Sequence, residues 1–131
     1  MAGSSVTITR KKIGDVIKIK FAWVSDDAAG TASGATTFEV AGLAMQFTTV
    51  PSGGGTAPTA NYGITLKDED GNDILNSLAL LRSATAIESK TNLDGLKLFA
   101  ATSLTFAVAA AGNSKQGTAY LYLINLSADP L

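Results

Sequence analysis

Hydrophobic and polar positions alternate along most of this chain. In "DVIKIKFAWV" (15–24), Ile17, Ile19, Phe21 and Trp23 share one face, and Lys18 and Lys20 point to the other. That is the pattern of a half-buried strand. "SDDAAGTASGAT" (25–36) is small and polar with two glycines, and reads as a loop. "TFEVAGLAMQFTTV" (37–50) carries Leu43, Met45 and Phe47 at period two, with Gly42 marking a bulge or a tight turn between two short strands. "PSGGGTAPTAN" (51–61) is a long loop, loosened by three consecutive glycines and restricted by Pro51 and Pro58. "YGITLKD" (62–68) returns to a strand, with Ile64 and Leu66 inward.

The period then changes. Ile74, Leu75, Leu78 and Leu81 fall at helical spacing behind Asn72 or Asp73 as N-cap, which predicts one short helix near 73–82. "TAIESKT" (85–91) reads as a short strand, and "LKLF" (96–99) as sheet residues. Two strands flank the turn "AGNSKQG" within 103–125: Leu104, Phe106 and Val108 alternate on the first, Leu121 and Leu123 on the second. On that last strand Tyr120, Tyr122 and Ile124 face the other way and are also apolar. A strand apolar on both faces is central in its sheet or covered by a partner.

The sum is about six to eight short strands and one helix, which predicts an all-β fold, an antiparallel β-sandwich or barrel. Trp23, Phe21, Phe47, Leu66, Phe106 and Leu121 are its expected core. Residues 13–126 form the expected single domain, preceded by an N-terminal arm (1–12) and followed by a C-terminal tail (127–131). The arm holds the β-prone "VTIT" (6–9) but too few apolar residues to fix itself in place.

Composition narrows the function. Only 16% of residues are charged, against 46% apolar, where an average soluble domain has about 25% charged. Little polar cover favours a chain that buries surface against copies of itself or a larger assembly. Net charge is −1, and the one basic cluster in sequence is Arg10, Lys11 and Lys12. No nucleic-acid partner is expected from so thin a cationic footprint. No apolar run is long enough for a membrane span, and "MAGSSVTITRKK" has no apolar h-region, so neither membrane nor signal peptide is expected. Histidine and cysteine are both absent. That removes the commonest general base, thiolate zinc sites and disulfides together.

One stretch invites a chemical reading. "KDEDGND" (67–73) places Asp68, Glu69, Asp70 and Asp73 around Gly71. A helix–loop–helix calcium loop needs glycine at position 6 and glutamate at 12. Counted from Asp68, glycine comes at position 4 and Ala79 at 12. Carboxylates one residue apart can still collect a weakly held calcium ion. The favoured reading is a solvated turn, since Asp-Gly is a preferred turn dipeptide. Four adjacent acids on a turn are not two carboxyls set across a cleft, so a glycosidase-like pair is not formed. "GGG" (53–55) lacks the Gly-Lys-Ser/Thr ending of a phosphate loop. Asp26 and Asp27 are expected to be solvated, and Trp23 to be core. No catalytic residue, cofactor or metal is expected.

A resemblance adds a role. "FTTVPSGGGTAPTANYGITLKDEDGNDIL", then "RSATA", then "AAAGNSKQGTAYLYLI" resemble small virion proteins of tailed bacteriophages and prophages. The shared pattern is a Val-Pro loop (Val50, Pro51) leading to Ala-Pro-Thr (57–59) and Asn-Tyr (Asn61, Tyr62). A strand, Asp-Glu-Asp-Gly (68–71) and a short helix follow. It closes on Ala-Gly-Asn (111–113), a Lys-X-Gly turn (115–117) and an apolar strand. It covers about residues 46–125. The resemblance implies a structural, non-enzymatic role, with head decoration (cement) foremost and a neck, tail or baseplate module as the alternative. It implies a virion protein on the capsid surface, made in the host cytoplasm. The expected partners are the major capsid protein and two further copies in a homotrimer. A carbohydrate- or receptor-binding sandwich is a third reading, and a carboxylate enzyme a fourth. The expected interface combines the arm, through Val6, Ile8, Arg10, Lys11 and Lys12, with the leftover apolar face of Tyr120, Tyr122 and Ile124.

Overall fold

A computed structural model describes residues 4–26, 30–35, 40–53, 56–80, 82–83, 85–96 and 98–125. Nine strands are formed among them: β1 (Ser5–Ile13), β2 (Val16–Val24), β3 (Ala32–Ala35), β4 (Val40–Pro51), β5 (Gly63–Lys67), β6 (Glu88–Thr91), β7 (Leu98–Thr102), β8 (Thr105–Ala109) and β9 (Gln116–Asn125). They make two antiparallel sheets and no closed barrel. The larger sheet has the order β1-β2-β9-β4-β6, with β7 beside β6 on the free side of β4; the smaller is β3-β8-β5. The fold is an all-β sandwich, so the barrel alternative falls away.

The alternation decides which side chains meet between the sheets. Ile17, Ile19, Phe21 and Trp23 of β2 and Ala119, Leu121 and Leu123 of β9 are buried on one side, facing Ile64, Leu66, Phe106 and Val108 of the smaller sheet. All six expected core residues are buried. Phe21 stacks on Phe106 with ring centroids 4.6 Å apart and planes 5° from parallel. Trp23 meets Tyr62 at 5.6 Å. Gly117 lies opposite Trp23 in the register; a Cβ there would come within 2.5 Å of the indole ring, so only glycine leaves room for it.

Five sequence expectations are corrected. Residues 73–80 form turns and no helix. Asn76 and Ser77 have left-handed φ values of 52° and 62°, which end any helix. The segment runs back beside β5 instead: Ile64 N donates to Ala79 O, Ile74 N to Leu66 O, and Arg82 N to Tyr62 O. The open edge of β5 offers backbone partners that a helix would leave unmet. Ile74, Leu75 and Ala79 are buried all the same.

In β4 the register shifts between Ala44 and Gln46. The extra residue changes the phase of the strand. Ala44 and Phe47 are buried while Leu43 lies opposite Ile124 of the outer face, so Leu43, Met45 and Phe47 do not share a side. Within the expected loop 25–36, residues 32–35 are strand β3 on β8. Gly34 packs against Val6, where a Cβ would lie 2.8 Å from the Val6 Cβ. Asp26 is not simply solvated: its carboxylate accepts from Gly30 N (2.8 Å) and Thr31 Oγ1 (3.1 Å). Asp27 and the tail 127–131 lie outside the described residues.

Residues 1–12, expected as an arm, are from Ser5 onward the edge strand β1. It pairs with β2 in unbroken register from Ser5 opposite Val24 to Ile13 opposite Val16. Val6 and Ile8 pack against the core. The ladder to β2 and the packing of Val6 and Ile8 together hold this segment.

The acidic turn is built around backbone donors. The Asp73 carboxylate accepts from Leu66 N (3.1 Å), Leu75 N (3.1 Å) and Ser77 N (3.0 Å). Asp68 accepts from Asn72 N and Asp70 N, each at 2.9 Å. The Asn72 N–H is the chief cause holding the exposed Asp68 carboxyl below its ordinary pKa. A lowered pKa in the folded state means its contribution is complete above the ordinary carboxyl range and fades as pH falls through the lowered value. Asp73→Ala leaves three donors without their acceptor and is expected to cost about 2 kcal/mol in urea unfolding. The melting temperature is expected to be the same with calcium and with chelator; a drop of more than a few degrees on chelation would show a bound ion.

Candidate functional site

The hairpin of β1 and β2 turns on Gly14 and Asp15, with Gly14 at φ 59°. In register, residues directly opposite share a face. Thr7, Thr9 and Lys11 therefore stand with Ala22, Lys20 and Lys18 on the outer face of the large sheet. The rungs continue across the central strand. Lys18 is followed by Tyr122, Gln46 and Thr91, and Lys20 by Tyr120, Thr48 and Ser89. The face is thus graded: cations on the hairpin, aromatics on β9, hydroxyls and an amide on β4 and β6.

Side-chain contacts fix this surface. Lys18 Nζ lies 4.6 Å from the centroid of the Tyr120 ring and 5.6 Å from that of Tyr122. The two tyrosine rings are 6.4 Å apart. Gln46 Nε2 donates to Thr48 Oγ1 (3.0 Å), which also meets Ser89 Oγ (2.9 Å). Two shallow hollows open on the face. One, of about 260 Å³, is lined by Thr9, Arg10, Lys11, Lys18, Lys20 and Tyr120. The other, of about 340 Å³, includes Thr7, Ala22, Val50, Gln116 and Thr118.

Of the eight expected interface residues, Lys11, Tyr120 and Tyr122 come together here, with Arg10 at the rim of the smaller hollow. Ile124 is on the same face, at its far end opposite Val16. Val6 and Ile8 turn the other way and close the sandwich edge; Lys12 lies opposite Ile17, on their side. The leftover surface is therefore less apolar than the tyrosines alone suggest. Lys18 and Lys20 complete the patch and were not among the expected interface residues. Five of the chain's ten basic residues, Arg10, Lys11, Lys12, Lys18 and Lys20, sit on this one hairpin. The signal was available in the Gly-Asp dipeptide between two β-prone runs.

The chemistry on offer is ionic, hydrogen-bonding and aromatic contact. Among the described residues no group of three or more acidic side chains is placed to hold a metal ion, and no helix is long and apolar enough to cross a membrane. No family model, curated protein or solved structure matches this chain.

Proposed function

We propose that this chain is a structural, non-catalytic virion protein of a tailed bacteriophage: a decoration protein that binds the outside of the head as a homotrimer and stabilises contacts between capsomers. The observation that carries this reading is the outer face of the large sheet. Tyr120, Tyr122 and Ile124 remain half-buried there while Ala119, Leu121 and Leu123, which alternate with them, are buried. A stiff sandwich presenting one flat face of tyrosines, lysines and hydroxyls suits repeated docking on a symmetric shell, where a modest contact energy is multiplied over many sites. The order of the loop motifs between 46 and 125 supports the same role. A sugar-binding face fits less well, because Lys18 already lies over the ring of Tyr120.

The test is co-sedimentation of purified protein with expanded, undecorated heads, together with a count of copies per virion. Decoration requires on the order of hundreds of copies, one set at each symmetry-related site. A chain that ignores heads and occurs at about a dozen copies at the neck or tail tip is a connector or baseplate part, not a decoration protein.

A further inference from the structure

We infer that the hollow lined by Thr9, Arg10, Lys11, Lys18, Lys20 and Tyr120 docks a carboxylate-rich segment of a partner protein. The inference rests on the reading of this face as a docking surface and names the chemistry of what it meets.

Lys11 lies directly opposite Lys18 on one face of the sheet. Like charges so placed destabilise a β-ladder. Lys20 follows Lys18 two residues along the same face. Neighbouring strands are about 4.8 Å apart and residues i and i+2 about 7 Å apart, so three ammonium groups crowd one small area. The hollow has no carboxylate among its described lining residues. Sheet stability alone favours an acid or a neutral residue at one of these positions, and departures from such local rules mark functional surface. A bound carboxylate converts the repulsion into charge-assisted hydrogen bonds. Lys18 is already steered by the two tyrosine rings beneath it.

The geometry favours protein carboxylates over a nucleic-acid backbone. Single strands bind along extended cationic grooves with aromatic rings free to stack on bases. Here the cations cover one short patch on two strands, and Lys18 occupies the face of Tyr120. The adjoining rungs supply Gln46, Thr48 and Ser89, an amide and hydroxyls suited to a peptide chain.

The experiment measures binding of a fluorescent glutamate-rich peptide to the full chain, with single-stranded oligothymidylate and inorganic sulfate as competing probes. Saturable peptide binding is expected, weakening from about 50 to about 300 mM salt. It should fall by about tenfold or more in the double variant Lys18→Gln, Lys20→Gln, and stay unchanged in Lys67→Gln on the smaller sheet. A further variant separates function from folding. Lys11→Glu places opposite charges across the Lys18 rung, so it should raise the melting temperature while weakening the peptide. Absence of saturable peptide binding, tighter binding of the oligonucleotide, or full binding by the double lysine variant overturns the inference. Heads that bind the chain while the peptide does not would overturn it too, yet leave the decoration reading standing. Peptide binding without head binding does the reverse.

Discussion

Phe106→Ala is expected to destabilise the protein by about 3–5 kcal/mol, the range for truncating a fully buried aromatic. Phe106 has no exposed surface, and its ring lies flat on Phe21 across the space between the two sheets. The substitution therefore opens a cavity at the seam where the small sheet is attached to the large one. It also removes an aromatic pair worth about 0.5–1.5 kcal/mol beyond the area it buries. The surrounding residues are themselves strand-bound and poorly able to collapse into the gap. Urea unfolding checks this, with Phe106→Leu as a milder partner. A loss under about 1 kcal/mol would mean that Phe106 does not face the core and that the register of β8 is displaced.

The second large effect is the removal of β1. A chain beginning at Gly14 is expected to lose about 3 kcal/mol or more: the half-buried Val6 and Ile8 contribute about half of the 1.5–3 kcal/mol given by full burial of each side chain, and the ladder to β2 is lost with them. The greater harm falls on what remains. Ser5 to Ile13 cover the flank of β2 along its whole length, and Val6 also seats Gly34 of β3. Without β1, a strand carrying Ile17, Ile19, Phe21 and Trp23 becomes an open edge, the arrangement that invites pairing with other chains. The expected product has a melting temperature lowered by about 10 °C or more and aggregates on heating. A shortened chain that melts cooperatively at the full-length temperature would show β1 to be dispensable.

Strands with one clear apolar face were legible in the sequence. β2, β5 and β8 announce themselves by period two, and the doubly apolar β9 is central, between β2 and β4. What escaped has physical reasons. β1 lies at an edge and carries threonines and cations, so its pattern is faint. β3 is Ala-Ser-Gly-Ala, a poor strand former by composition, yet it pairs because β8 offers an edge and small residues fit beneath Val6. The helical spacing of Ile74, Leu75, Leu78 and Leu81 was real, but the bare edge of β5 took the backbone. One residue of bulge in β4 put Leu43 on the opposite side from Phe47. On the outer face of the large sheet, Tyr120 and Tyr122 were visible along a single strand. The patch they share with Lys18 and Lys20 depends on pairing between segments a hundred residues apart, which no local pattern contains.

The place of β9 has a consequence for how the protein is made. It is the last of the described strands to leave the ribosome, and it occupies the middle of the large sheet, where it joins residues as distant as Val16 and Ile124. At translation rates of about 5–20 residues per second, β4 waits roughly 4–15 s for its neighbour. Until then β2 and β4 have no strand between them, and the hairpin, however early it closes, has no sheet to join. The decisive step of folding therefore waits for β9, and it is slow for the chain's size, as distant pairings require. A ribosome that stops before Gln116 releases a chain without its central strand, exposing two sticky edges rather than forming a smaller stable domain.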